Sequence, residues 1–432
     1  MKSFKSTIIN KFAIIFIMFS LYSNSFSVVD VYIRIVREVR RLDIGVSKFV
    51  SKEVRYKNVA EEVQKVLVND LMFTRIFNVV EPGWRYLPKK EISEKWKSYN
   101  INVAVCGEIY FVDGKYVLSG TMYDIETLEK IYEEKFVSKN KRYLAHIFSD
   151  NIIRRFTGEY GIATTKIYFT NDSSGNKEIY CVDYDGENLQ RLTFDNNINI
   201  YPRISPDGKK LLYTTYKYGN PDLYLLDINS NKKIPVSTLQ GLNITANWAP
   251  DGQNIIVSLT RARHQPNMFL LDLQGNIIKR ITSGRYVDVS GFFSPNNREI
   301  VFISDRSGLP QLYISDLDGI NVRRLTTSSY SSSPVWSPKG DKIVFCMQNE
   351  KSLFDIYLYD IAKGSYYRLT QDSGSNESPY FSPDGRFIVF ASNRNGKYEL
   401  FTMFLDGSNQ RRVAPVKGNS YTPCWSGRYI EN

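Results

Sequence analysis

"SPDG" at Ser205-Pro206-Asp207-Gly208 returns at Ser382-Pro383-Asp384-Gly385, and altered copies stand between them: "APDG" from Ala249, "SPNN" from Ser294 and "SPKG" from Ser337. These are the residue types of a type I turn, with Ser first, Pro second to preset φ, and Gly fourth, free to take the left-handed conformation. Such clusters arise as unrelated loops, as an acidic ligand set, or as punctuation in a tandem repeat. Spacing separates the three. The aromatic residue of "YCVD", "YLLD", "FLLD", "YISD", "YLYD" and "FTMF" falls at Tyr180, Tyr224, Phe269, Tyr313, Tyr357 and Phe401, in steps of 44, 45, 44, 44 and 44. An "RLT" column through Leu192, Val236, Ile281, Leu325, Leu369 and Val413 keeps the same steps, and an apolar column runs through Ile167, Leu211, Ile255, Ile300, Ile343 and Ile388.

Each copy reads as four short strands: one ending at the Pro turn, an apolar one such as "EIVFIS", one such as "QLYISD", and a short edge strand around "RRLT". Four strands in a repeat of this length predict a propeller blade, with a solenoid as the competitor. The ends of the array favour the propeller. The first copy begins at Lys166 in its second strand, and "YTPCWSG" at Tyr421 to Gly427 supplies the strand it lacks. We therefore expect six blades, closed by the C-terminal strand 421–427, which removes the sheet edges an open array would leave.

On this reading the turn aspartates Asp207 and Asp384 bond within their own turns, because Asn296 and Lys339 take the same place in other copies. The aspartates of the "Y-x-x-D" pattern (Asp183, Asp227, Asp272, Asp316, Asp360) recur at the ends of third strands and read as turn initiators. "DYDG" and "DLDG" resemble the start of a calcium loop but lack its later ligands.

The chain of 432 residues is 42% hydrophobic, with 30 Tyr and 25 Phe, a composition suited to many short strands. At the N-terminus, Lys2, Lys5 and Lys11 precede an apolar run from Phe12 to Leu21 that ends at "SFS", the pattern of a secretory signal peptide over residues 1–27 with Val28 at the mature start. The alternative is an uncleaved anchor. Cleavage lowers the formal charge of +11 by three. No run of five basic residues exists, so the charge reads as solvated surface, not a nucleic-acid footprint. Four cysteines, Cys106, Cys181, Cys346 and Cys424, include no CxxC pair. The closure model puts Cys181 and Cys424 in one blade with the second strand between them, which disfavours a direct disulfide.

Residues 28–160 lack the 44-residue step and read as a small α+β domain preceding the propeller at 161–432. "DVYIRIV" and "LDIGVSKFV" are expected strands. Val59, Val63, Val66, Leu67 and Leu71 share one helix face, "NVAVCGEIYFVDGKYVLSGTMYD" is a hairpin turning at Asp113-Gly114, and a last helix covers Lys141 to Phe156. An enzyme is disfavoured. There is no G-x-S-x-G, and the two histidines, His146 and His264, fall one in each domain. The competing function is a propeller-fold hydrolase or lyase acting on peptide or sugar.

The order of export signal, small α+β domain and six-copy "SPDG" propeller resembles the TolB family, the periplasmic component of the Tol-Pal envelope system. "VDVYIRIV…LDIGVSKF", "FTGEYGIATTKIYFT" and "CVDYDGENLQRLT" carry the resemblance. It implies a non-catalytic periplasmic adaptor serving outer-membrane integrity and envelope constriction at cell division. It also implies a monomer, peripheral to the membrane through its partners. A peptidoglycan-associated lipoprotein (Pal) would bind the propeller and TolA the mature N-terminus. Carried onto this chain, the N-terminal segment is Asp30, Val31, Tyr32, Ile33, Arg34, Ile35 and Val36; "REVRR" from Arg37 is basic where relatives tend to be Gly-rich. No cofactor is implied, and a calcium ion in the channel stays open. On the propeller, loops leading into the inner strands and loops between second and third strands share one face. They nominate Asn243, Thr245, Asp288, Ser290, Glu377 and Tyr421 from the first set and Arg261, Arg263, His264, Arg306 and Arg394 from the second.

Overall fold

The computed structural model describes residues 41–261 and 265–430, which divide into two compact units at Gly161/Ile162. The expected signal peptide and the 30–36 segment lie outside the described residues. In the first unit Leu42–Val46 (β1), Phe77–Val80 (β2), Val103–Val112 (β3), Lys115–Asp124 (β4) and Lys130–Ser138 (β5) form one mixed sheet in the order β2-β1-β3-β4-β5. β1 runs parallel to β2 and β3, and β3-β4-β5 is an antiparallel meander. Its first hairpin turns on Asp113 (φ 49°) and Gly114 (φ 76°), the two left-handed residues of a type I′ turn.

Helices Lys57–Phe73 (α1) and Lys141–Thr157 (α3) cover one sheet face, burying Val63, Leu67, Leu71, Leu144, Phe148 and Ile152 against Ile44, Val105, Ile109 and Leu118. α3 is capped by Asn140, whose side chain accepts the N–H groups of Arg142 and Tyr143, and stops at left-handed Gly158. Its His146 lies 2.8 Å from Asp70 of α1, both buried, so this histidine ties two helices together. Helix Lys90–Lys97 (α2) covers part of the other face through Trp96, which packs with Tyr86, Ile101, Ala104 and Ile125. β2, α2 and β5 were not foreseen. α2 buries only Ser93 and Trp96, and the edge strand β5 carries the charged run Glu133-Glu134-Lys135 in its middle, which breaks any alternation of apolar and polar residues.

The second unit is a six-bladed propeller of six four-stranded sheets. The inner strands are Asn199–Ile204, Asn243–Trp248, Asp288–Phe293, Ser331–Trp336, Asn376–Phe381 and Ser420–Trp425. The last, from the C-terminus, pairs antiparallel with Lys166–Asn171 and completes the first blade. Trp425 Nε1 donates to Thr165 Oγ1 at 2.8 Å, and the Lys166 N–H donates to Ser426 Oγ at 2.9 Å. The isoleucine and leucine column from Ile167 to Ile388 is fully buried in the second strands.

Every Pro turn sits at one end of the ring, the turn end. Gly208 N–H donates to Ser205 O at 2.9 Å, while Ser205 Oγ donates to Asp207 Oδ1 at 2.6 Å and accepts from Lys210 N–H. Ser294 makes the same bond to Asn296. These side chains are spent on the turn. The glycines after the third strands join blades: a Cβ on Gly186, Gly275 or Gly319 would lie 2.0, 1.9 and 2.0 Å from the carbonyl oxygens of Val413, Val236 and Ile281 in the preceding blade. Buried acids join blades as well. Glu178 accepts from Arg191 and Thr193 of its own blade and from Asn199 Nδ2 (2.8 Å) of the next, and Asp355 repeats this with Arg368, Thr370 and Asn376.

Cys181 and Cys424 both lie opposite Tyr168, one on each flanking strand, so the intervening strand holds them apart. All four cysteines are free thiols. Burial pushes Cys181 up to about 11 and Cys106 up to about 12. Since the folded state holds these protons above the unfolded value of 9.0, their contribution is fully present below pH 9 and lost as pH climbs through 11 to 12. Thermal melts should therefore show a falling midpoint above pH 9, and thiol reagents at pH 8 should label the native chain slowly and four thiols after denaturation. Gly275→Ala should lower stability by ~2 kcal/mol or more in urea titrations. Gly219→Ala, at φ 85° with nothing within 4 Å, should cost only the left-handed strain of about 1 kcal/mol.

Candidate functional site

The channel differs between its two ends. Toward the turn end the inward residues at the fifth position of the inner strands meet across the axis. Arg203 Nε donates to Asn247 Oδ1 at 2.8 Å, the Arg203 guanidinium lies 5.5 Å from the Tyr380 ring centre, and Tyr380 meets Phe292 edge-on at 5.9 Å. Burial, with Cys424 beside it, holds the Tyr380 hydroxyl far above its ordinary value. Beneath this plug is an apolar hollow of about 240 Å³ walled by Trp248, Phe293, Trp336 and the turn prolines.

Above the plug, at the loop end, the channel opens into a cup of about 320 Å³. Each inner strand carries a bulge at its third residue, and all six of these residues are left-handed: Tyr201, Thr245, Ser290, Ser333, Ser378 and Thr422, at φ between 47° and 57°. None is glycine, and four precede a proline, which further restricts the backbone. All six bear a hydroxyl and line the cup. Thr245 Oγ1 bonds Ser258 Oγ at 2.7 Å, and Thr422 Oγ1 bonds Thr170 Oγ1 at 2.9 Å. Strain of this kind, ~1–3 kcal/mol per residue, persists where the surroundings over-determine it and concentrates at binding sites. The second position of the inner strands, reading Ile200, Ile244, Val289, Ser332, Glu377 and Tyr421, adds one carboxylate. Glu377 accepts from Tyr398 Oη at 2.5 Å and Ser375 Oγ at 2.8 Å.

Of the nominated residues, Thr245, Ser290, Glu377 and Tyr421 come together in the cup. Asn243 and Asp288 lie beneath the surface at the first position of their strands, with no exposure. Asn243 Nδ2 donates to the carbonyls of Pro221, Leu239 and Gly241, and Asp288 Oδ1 accepts from Arg306 at 2.9 Å. Arg306 lies 4.9 Å from the Tyr313 ring centre and 5.3 Å from that of Phe302. Arg394 repeats the arrangement, donating to Asn376 Oδ1 at 2.9 Å and lying 4.4 Å from the Phe401 ring centre; burial lowers its guanidinium below the ordinary value. Arg261 occupies the same repeat position and is exposed. Arg263 and His264 lie outside the described residues. Sequence reasoning missed Tyr201, Ser333, Ser378 and Thr422. Extending the Thr245–Ser290 column by the repeat step would have found them.

Around the cup the loops carry exposed apolar side chains, among them Phe194 (61% exposed), Tyr218 (66%) and Leu309 (55%), with Ile198, Tyr286 and Leu353 between them. Exposed apolar surface rimming a preformed concavity is the arrangement of a protein-docking face.

Comparisons with known proteins agree with this architecture. Residues 31–131 match the TolB amino-terminal domain and residues 153–429 match the TolB beta propeller domain. "Tol-Pal system protein TolB" of Geobacter sulfurreducens is 38% identical over 162 residues, covering 35% of this chain and 37% of that protein. "Protein TolB homolog" of Chlorobium chlorochromatii is 32% identical over 256 residues, covering 57% and 58%. These alignments thus span less than two thirds of either relative. The crystal structure of TolB from Acinetobacter baumannii, 22% identical, superposes with a TM-score of 0.77 over 90% of this chain and 97% of its own, which shows the shared fold.

The buried Asp288–Arg306 pair and exposed Arg261 predict opposite outcomes for one kind of change. Arg306→Ala strands a carboxylate inside the blade and should lower stability by about 3 kcal/mol. Arg261→Ala should stay within ~0.5 kcal/mol. Melting temperatures of the two variants read the difference.

Proposed function

The chain belongs to the TolB family, a non-enzymatic component of the Tol-Pal system, and on that premise we propose that it is a periplasmic adaptor. Its propeller receives a Pal-like, peptidoglycan-associated lipoprotein on the loop end, and the segment from Asp30 to Val36 engages a TolA-like inner-membrane protein. The loop-end surface carries the proposal: a strained, hydroxyl-lined cup inside a rim of exposed aromatic and aliphatic side chains. Thr245, Ser290, Glu377 and Tyr421 belong to that docking surface, with Arg261 at its edge. Asn243, Asp288, Arg306 and Arg394 support it from within the blades.

A closed ring presents this face already formed, so docking orders little backbone and apolar contact turns into affinity with small entropic loss. The acids that an enzyme reading would recruit are already engaged: Asp207 and Asp384 in turns, Glu178 and Asp355 between blades. Occupation of the propeller and exposure of the N-terminal segment are coupled in this reading. The lipoprotein therefore changes the affinity for the second partner, and the reverse holds by linkage.

Calorimetric titration of the processed protein with the soluble domain of its lipoprotein tests the docking face. Leu309→Asp and Phe194→Asp at the loop end should weaken binding tenfold or more, and Ile320→Asp at the turn end should leave it within twofold. Equal losses at both ends contradict the proposal. Deleting residues 30–36 should abolish binding of the TolA-like protein while leaving the lipoprotein bound.

A further inference from the structure

Among the described residues that line the cup, Glu377 is the one that carries a charge; the same position in the other inner strands holds Ile200, Ile244, Val289, Ser332 and Tyr421. It also differs from most buried acids of the propeller, although Asp222, bonded by Asn220 Nδ2, likewise has no arginine partner among the described residues. Glu178, Asp288, Asp355 and Glu399 each pair with an arginine. Glu377 is half-buried, and its hydrogen bonds come from two neutral hydroxyls, Tyr398 Oη and Ser375 Oγ. Among the described residues no lysine or arginine forms an ion pair with it. A carboxylate withdrawn from water without a counter-ion is costly, and that cost is relieved when a cation arrives.

The walls beside it are aromatic. Tyr398 and Tyr421 pack at 5.1 Å between ring centres, and Tyr330 meets Phe354 edge-on at 5.7 Å. Ring faces attract cations, and the Tyr421 ring already has the Lys177 ammonium 4.9 Å from its centre. One carboxylate inside an aromatic, hydroxyl-lined cup of about 320 Å³ suits a single long cationic side chain. The surrounding rim of exposed apolar residues requires a macromolecule to cover it, so the cation arrives on a folded partner and not as a free amine.

We infer that the cup is the anchor pocket for one lysine or arginine side chain of the protein docked on the loop end, with Glu377 as its counter-ion and Tyr421 and Tyr398 as its walls. This rests on the docking face proposed above and supplies its specificity: the rim gives area, and the cup selects a partner with a cation at the centre of its footprint.

The test titrates the soluble lipoprotein domain into the processed wild-type protein, Glu377→Gln, Tyr421→Leu and the rim variant Leu309→Asp, and repeats each titration with single Lys→Met and Arg→Met variants of the lipoprotein domain. Glu377→Gln keeps the shape and should weaken binding at least tenfold, with a flatter dependence on salt. One cation variant of the partner should lose nothing further when combined with Glu377→Gln, which identifies the anchor. Should Glu377→Gln lower the melting temperature, Tyr421→Leu reads the same cup and should weaken binding about fivefold. If Leu309→Asp weakens binding while both cup variants stay within twofold, or if no partner cation couples to Glu377, the anchor inference is overturned and the docking face stands. If the wild-type protein does not bind at all, the docking face fails and the anchor with it.

Discussion

The antiparallel pairing of Ser420–Trp425 with Lys166–Asn171 converts a tandem array into a ring. An open row of five complete blades would leave the buried faces of Tyr168 and Cys181 uncovered and expose the edge of Lys166–Asn171 to any passing strand. Closure satisfies that edge with residues from the far end of the chain, and the Trp425–Thr165 and Ser426–Lys166 bonds hold it. Contacts between neighbouring blades then become mutually enforcing. The glycine-to-carbonyl approaches and the acid–threonine–asparagine bridges each link one blade to the next, and in a closed ring none can slip without displacing the others.

That rigidity allows the cup. Six left-handed residues other than glycine around one axis would relax in a flexible loop. Here each is held by strand pairing on both sides of its bulge, and the hydroxyls of Thr245 and Thr422 bond to the neighbouring strand. The ring thus uses its own stability to hold a concave, hydroxyl-lined surface in a conformation the isolated segments would not adopt. The plug of Arg203, Asn247, Phe292 and Tyr380 blocks the channel from below, which leaves the loop end as the side from which a ligand enters the cup.

Repetition made the propeller readable from sequence. Residues that point into a blade recur every 44 positions, so Ile167 to Ile388 and Tyr180 to Phe401 marked the second and third strands, and the missing first strand marked the closure. The first unit has no such internal check: its long helices and the Asp113-Gly114 hairpin were legible, whereas α2 and β5 were not, because one buried tryptophan or a charged edge strand leaves no clear period. The cup was half legible. Thr245, Ser290, Glu377 and Tyr421 were found through loop position. Arg306 and Arg394 were chosen by the same logic, but they fold back onto Asp288 and Asn376 over aromatic rings. Position in a loop gives the end of the ring, and only packing says which way a long side chain turns.

Hydrogen exchange of the full processed chain, with and without the soluble lipoprotein domain, tests the central claim that the loop end of a closed, rigid ring is the docking platform. The account predicts added protection in the backbone around residues 193–199, 216–221, 282–288 and 349–354, with the Pro turns at 205–208 and 382–385 unchanged. Protection gained at those turns, or spread along the outer edge strands while the loop end stays unaltered, would contradict it.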